Sequence, residues 1–179
     1  MTQADNLDRF LAETEQRAYR LAYVATGQRE EALDIVQDAM LKLCRNYANR
    51  PAEEWGPLFH RILQSTIRDW YRRQMLRNFF GLSQATDDDT LQQAQDAVAI
   101  TRHDTGAEHV LQNERALHAL DSALHTLPLR QQQAFLLRAW EGLDVAQTAT
   151  AMQCSTGSVK THYSRAVHSL RQQLEGFAL

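Results

Sequence analysis

Apolar residues recur every third or fourth position along most of this chain, and no stretch alternates apolar and polar residues as a strand face would. That spacing allows helices and little else. Only 7 Gly and 3 Pro interrupt 179 residues, while Leu, Ala, Gln and Arg, all good helix formers, are common. One long stretch, residues 78–107, loses the periodicity altogether. It holds Asp87, Asp88 and Asp89 in a row together with several Gln and Thr, and it reads as a linker with a short helix near 90–99. The expected fold class is therefore all-α: two small helical domains, 1–77 and 108–179, joined by a flexible acidic linker over 78–107.

In the first half, Leu7, Phe10, Leu11, Ala18, Leu21, Ala22 and Ala25 place a helix over 6–26, and Gly27 supplies a left-handed stop. Leu33, Val36, Met40, Leu43 and Tyr47 place a second over 29–47. Its first turn carries Glu30 and Glu31, the right sign for a helix N-terminus. Residues 48–57 contain Pro51, Gly56 and Pro57 and read as a loop or a short broken turn. Phe59, Ile62, Leu63, Thr66, Ile67 and Trp70 then stripe a long helix over 58–76.

In the second half, Leu117, Leu120, Leu124 and Leu127 line a helix that ends before Pro128, and another runs over 129–141 to Gly142. Asp144 with Gln147 forms a capping-box pattern ahead of Val145, Ala149 and Met152. After a turn at Gln153 and Cys154, Ser155 caps a final helix with Val159, Tyr163, Ala166, Leu170 and Leu174 on its core side. Residues 144–171 thus make a helix-turn-helix.

The net charge of −3 conceals local contrast. Residues 1–77 carry +1, 78–107 carry −4 and 108–179 are neutral. Arg61, Arg68, Arg72, Arg73 and Arg77 crowd the 58–76 helix and its end against a lone Asp69, and residues 159–174 hold Lys160, Arg165 and Arg171 with no acid. Such clusters, rather than the overall balance, point to nucleic acid. The polar face of the last helix, Gly157, Ser158, Lys160, Thr161, Ser164 and Arg165, has donors for base edges and phosphates. On spacing alone, a solvated face of an ordinary helical hairpin explains it equally well.

Residues 124–174 resemble region 4 of the extracytoplasmic-function (ECF) sigma factors of bacterial RNA polymerase. Leu127-Pro128, Gly142, Ser155, Gly157, Val159, Lys160, Arg165 and Ala166 carry the match; Gln147-Thr148-Ala149 stands where Glu-Ile-Ala is usual. Residues 31–47 resemble region 2 through Ala32, Asp34, Gln37, Asp38 and Leu41, with Met40 in place of Phe. The segment from Tyr47 to Arg77 is similar to the part that reads the −10 element, with Ser65 near a usual Asn.

The resemblance implies a sigma factor. Asp34, Gln37, Asp38 and Leu41 would bind the core polymerase at its β′ clamp helices, and region 4 would meet the β flap. Tyr47, Arg61, Ser65, Arg68, Arg72 and Arg73 would hold the opened −10 strand. Gly157, Ser158, Lys160, Thr161, Ser164 and Arg165 would read the −35 duplex. Partners would be core polymerase, promoter DNA and an anti-sigma factor. The linker would either mimic nucleic acid charge or act as a solvated spacer.

Other chemistry finds no support. The phosphate-cradling glycine loop, GxSxG and HExxH are missing, and the seven His are scattered, so neither enzyme activity, cofactor nor metal is expected. Cys44 and Cys154 fit no pairing motif and suit a reducing compartment. The first ten residues lack a signal-peptide pattern and no 18-residue apolar run occurs, so a cytoplasmic protein with no membrane insertion, monomeric when free, is expected. Two rivals stay open: a stand-alone regulator dimerising on an operator, and a helical adaptor that binds only proteins.

Overall fold

The computed structural model describes residues 2–79 and 107–175. Among the described residues there is no strand, as the periodicity requires. The order is α1 (Gln3–Thr26), α2 (Arg29–Tyr47), α3 (Ala52–Phe79), α4 (Ala107–Thr126), α5 (Leu129–Phe135), a π-helical turn (Leu136–Trp140), α6 (Val145–Met152) and α7 (Thr156–Gln173). The linker expected over 78–107, with its short helix, lies almost wholly outside the described residues.

The stop and start signals work as the sequence suggests. Gly27 ends α1 in the left-handed conformation at φ 67°, with its N–H on the Tyr23 carbonyl. Asp144 accepts from the Gln147 backbone N–H at 2.7 Å while the Gln147 side chain accepts from the Asp144 N–H at 2.9 Å, closing the capping box of α6. Ser155 Oγ accepts from Ser158 N–H at 3.1 Å and starts α7.

Two expectations are corrected. The 48–57 loop is largely helical, because α3 begins at Ala52 and runs through Gly56 and Pro57. Pro57 forfeits one backbone hydrogen bond, but Trp55 outweighs it. Its indole is 2% exposed, lies 5.9 Å from the Phe10 ring and donates from Nε1 to the Tyr47 carbonyl. Burying such a ring is worth more than one main-chain bond. The 129–141 helix also changes character. From Leu136 onward it widens to a π turn, closed by the Glu141 N–H on the Leu136 carbonyl at 3.0 Å. At its start Leu136 faces one core and Leu137 another.

Those two cores organise the molecule. The larger joins α1, α2 and α3 through Leu21, Ile35, Leu43, Phe59, Leu63 and Ile67, and also takes in Leu124, Leu127, Leu136, Ala166 and Leu170 from the second half. The smaller holds the helix-turn-helix together through Ala134, Leu137, Ala149, Ala151, Met152 and Val159. Leu117, expected in the α4 stripe, is instead 64% exposed; the inward face of α4 starts nearer Leu120 and is completed by Ala123 and Leu124.

Where the halves meet, His60 of α3 and Glu141 face each other at 3.9 Å with little exposure. Burial, helped by the charge of Arg17, pushes the His60 imidazole below its ordinary 6.5. Burial pushes the Glu141 carboxyl above its ordinary 4.5, against Arg17. The unfolded chain therefore binds more protons at His60 just below pH 6.5, so that contribution to stability is lost on acidification through this range. Glu141 acts oppositely: above pH 4.5 the folded chain holds its proton longer, and stability falls as pH rises through the raised value. Thermal melts from pH 7.5 to 6 should show a falling midpoint, flattened in His60→Gln. Parallel curves for the parent and His60→Gln would refute the assignment.

Candidate nucleic-acid and polymerase interface

Helix α2 buries Ala32, Ile35, Val36, Ala39 and Leu43 and so turns Asp34, Gln37, Asp38 and Leu41 outward in one stripe. Leu41 is 50% exposed and Leu33, two turns earlier on the helix, 39%, an apolar offering to solvent. Asp38 pairs with Lys42 at 2.7 Å, one turn on; Lys42 Nζ also donates to Thr66 Oγ1 of α3 at 3.3 Å. The stripe is therefore acidic and apolar at once.

Helix α3 shows two faces. Phe59, Leu63, Ile67 and Trp70 are buried, and the Trp70 indole donates to Glu31 of α2 at 2.6 Å. Arg61, Arg72 and Arg73 point to solvent and Ser65 is half-buried. Arg72 pairs with Asp69 at 2.7 Å, and Arg77 reaches Glu31 at 3.9 Å. A shallow cleft between α2 and α3 gathers Asp38, Lys42, Thr66, Asp69, Arg72 and Arg73. The sequence did not mark Lys42 or Thr66 for this cleft, because the spacing of one helix does not say which residues of the next lie opposite. Among the nearby aromatics, Trp55 and Trp70 are core, Tyr47 is half-buried and Tyr71 is exposed.

Arg68 departs from the row. It is half-buried, and its two Nη groups donate to the Met152 carbonyl at 3.3 Å and to Gln153 Oε1 at 2.5 Å, in the turn between α6 and α7. Arg130 of α5 donates to the same carbonyl at 2.7 Å. The carbonyl end of α6 attracts both cations.

Helix α7 buries Val159, Ala166 and Leu170 and exposes Gly157, Lys160, Thr161, Ser164, Arg165 and His168, with Ser158 half-buried. Thr161 Oγ1 donates back to the Gly157 carbonyl at 3.1 Å. A Cβ added at Gly157 would meet only Ser155 Oγ, at 3.8 Å, so the fold itself does not demand glycine there. Thr148, in the place of a usual Ile, is fully buried and its hydroxyl donates to the Asp144 carbonyl at 2.7 Å. Burial there leaves no polar group unpaired. Among the described residues no three His, Cys, Asp or Glu converge as metal ligands. No described helix is long and apolar enough to cross a membrane.

Comparison with known families matches both halves in order. Residues 10–77 match Sigma-70 region 2, and residues 117–170 match Sigma-70 region 4. This chain belongs to the sigma-70 family and is an ECF sigma factor. Members of the family direct promoter-specific transcription initiation. The chain is similar to the ECF RNA polymerase sigma factor SigE of Mycolicibacterium smegmatis, at 24% identity over 95% of this sigma factor and 60% of the relative. It is also similar to the RNA polymerase sigma factor SigV of Bacillus subtilis, at 28% over 92% and 88%. It thus spans less than two thirds of the first relative and most of the second. Among solved structures, the sigma factor RpoE from Bartonella quintana, crystallised in complex with the anti-sigma factor NepR, shares the fold with TM-score 0.62 at 20% identity, covering 96% of this chain and 98% of that one.

Proposed function

We propose that this sigma factor binds core RNA polymerase through α2 and directs it to promoters by two DNA contacts, one on α3 and one on α7. The carrying observation is that an acidic-apolar stripe and a cationic-hydroxyl face stand exposed on separate helices of one chain, each backed by its own buried stripe. Asp34, Gln37 and Asp38 suit basic residues of a partner such as the β′ clamp helices, with Leu41 as an apolar anchor. Tyr47, Arg61, Ser65, Arg68, Arg72 and Arg73 suit a single strand, whose phosphates need cations and whose unstacked bases need aromatic or polar neighbours. Lys160, Thr161, Ser164 and Arg165 suit the edges of a major groove, and Gly157 and Ser158 leave the helix start open to a phosphate.

The functional division is residues 1–77 for core and −10 binding, 78–107 as linker, and 108–179 for −35 binding and contact with the β flap. The protein acts in the cytoplasm as a subunit without catalysis of its own, and is a monomer when free. An anti-sigma factor restrains it. Core polymerase fixes the spacing of two weak DNA contacts and so converts them to a tight one. The test is capture of purified core polymerase, followed by run-off transcription on a promoter library. Core capture with transcripts from a defined −35/−10 pair is expected. Tight DNA binding by a dimer without core would support the operator-binding regulator, and core-independent behaviour with no DNA binding would support the protein adaptor.

A further inference from the structure

Lys42 belongs to the helix that carries the acidic stripe, yet its ammonium turns toward α3. It rests between acceptors on two helices. Asp38 Oδ2 lies at 2.7 Å, one turn back on α2, and Thr66 Oγ1 of α3 accepts at 3.3 Å. Thr66 is 3% exposed, and its hydroxyl proton goes to the Ile62 carbonyl at 3.0 Å. The hydroxyl therefore meets Lys42 only as an acceptor, and it anchors the tip of a side chain whose stem is otherwise flexible. An ammonium has three donors, so one is left for a ligand, and the side chain is 44% exposed and open to one.

That ammonium lines the shallow cleft between α2 and α3, about 390 Å³ in volume. Thr66, Asp69, Arg73 and Leu76 recur at three and four along α3 and form its wall over roughly 15 Å. With Arg72, the cleft holds three cations against two carboxylates, Asp38 and Asp69. Asp69 faces Arg72 at 2.7 Å as Asp38 faces Lys42. Each pair joins residues of one helix, with side chains 44% to 74% exposed. Such pairs are weak and exchange readily with other ions. Asp38 also stands in the outward stripe of α2, where a partner's cations would compete for it. Once it is taken, Lys42, Arg72 and Arg73 are left around a place for another anion.

We propose that Lys42 is a further DNA contact: when α2 docks on polymerase, its ammonium passes from Asp38 to a phosphate of the opened −10 strand, seated in the α2–α3 cleft with Arg72 and Arg73. Thr66 holds the ammonium in place through the exchange. The cleft offers cations and no aromatic ring among its lining residues, which suits a phosphodiester rather than an unstacked base. One side chain thus faces Asp38 in the free chain and DNA in the polymerase complex. The inference rests on the reading of α2 as the polymerase-docking helix and of α3 as the strand-binding helix.

The test uses purified core polymerase with the full-length chain as parent, Lys42→Met, which keeps the aliphatic stem without the charge, and Lys42→Arg. Each is measured for core capture and, as the complex, for affinity toward a single strand carrying the −10 element over a range of salt. Lys42→Met should capture core at least as well as the parent. Its complex should bind the strand about tenfold more weakly, with the salt slope reduced by about 0.7, the value for one phosphate of a single strand. Lys42→Arg should restore both. Methylphosphonates placed one at a time along the strand should reveal a position that weakens the parent complex and leaves the Lys42→Met complex unchanged. In the free chain, Asp38→Asn should tighten binding of oligo-dT about threefold, and Lys42→Met should cancel that gain.

Parent-like affinity and salt slope in the Lys42→Met complex overturn the proposal, as does a methylphosphonate pattern identical in the two complexes. Weakened core capture by Lys42→Met also overturns it, since Lys42 would then serve docking. An equal gain from Asp38→Asn with and without Lys42 overturns the exchange. If Lys42→Met loses its helical circular dichroism, Lys42→Gln is judged by the same results. Failure of the parent itself to capture core overturns the polymerase reading, and capture without strand binding by the parent complex overturns the reading of α3.

Discussion

Replacing both cations of the α7 face, Lys160→Ala with Arg165→Ala, should reduce −35-dependent run-off transcription by at least about thirtyfold while leaving core capture intact. Both side chains are exposed, no hydrogen bond or ion pair in the described structure ties either one down, and the stripe that holds α7 in place, Val159, Ala166 and Leu170, lies on the opposite side. Substitutions at such positions shift stability within about 0.5 kcal/mol, so the melting temperature should not move. A lost base-edge contact costs roughly 1–3 kcal/mol and a lost phosphate contact lowers the salt slope by about 1. Two losses of this size give the stated factor. On the same helix, burial first, then the charges of Arg130 and Arg165, lowers the pKa of His162. Wild-type transcript levels from the double variant would refute α7 as the recognition helix.

How far the sequence foretold this arrangement differs by level. Helix identity was legible because each helix repeats its apolar residues at the helical period, and the caps were legible because Gly27, Asp144 with Gln147, and Ser155 each carry a local mechanism. The outward stripe of α2 followed from the same periodicity, since fixing Val36 and Leu43 inward leaves Asp34, Gln37, Asp38 and Leu41 outward, although Leu33 of the expected apolar stripe is exposed and Ile35 is buried instead. What escaped was tertiary. Pro51, Gly56 and Pro57 gave a correct local signal for a loop, overridden by the distant Phe10 against Trp55. The π turn at Leu136–Trp140 and the split of Leu136 and Leu137 between two cores were not marked by the apolar spacing. The burial of Gln132 and Gln133 has no signal within their own helix; it depends on the Val24 carbonyl of α1 and the Gln64 carbonyl of α3 coming within reach of their amides. Arg68 looked like its neighbours in the arginine row, and only the fold distinguishes it by placing the α6 terminus beside it.

Reversing the α2 stripe, Asp34→Arg with Asp38→Arg, should weaken capture of core polymerase by about a hundredfold or more. The argument turns on where the charges sit. Both carboxylates are exposed, and among the described residues Asp38 pairs with Lys42 at 2.7 Å, with both side chains about half exposed. Such a pair within one helix is worth roughly 0.3–0.5 kcal/mol, so losing it cannot unfold a bundle anchored by Leu43, Phe59 and Leu63. The large effect arises only if the stripe meets cations on a partner, where two like-charge encounters cost several kcal/mol. That separates it from a merely solvated helix face, which predicts no change. Raising the salt should narrow the gap between variant and parent, because screening weakens attraction in one and repulsion in the other. Leu41→Ala should weaken capture with little salt dependence, since it removes apolar contact rather than charge. Undiminished capture by the double arginine variant, with its helical content intact, would leave the acidic stripe without a role in core binding.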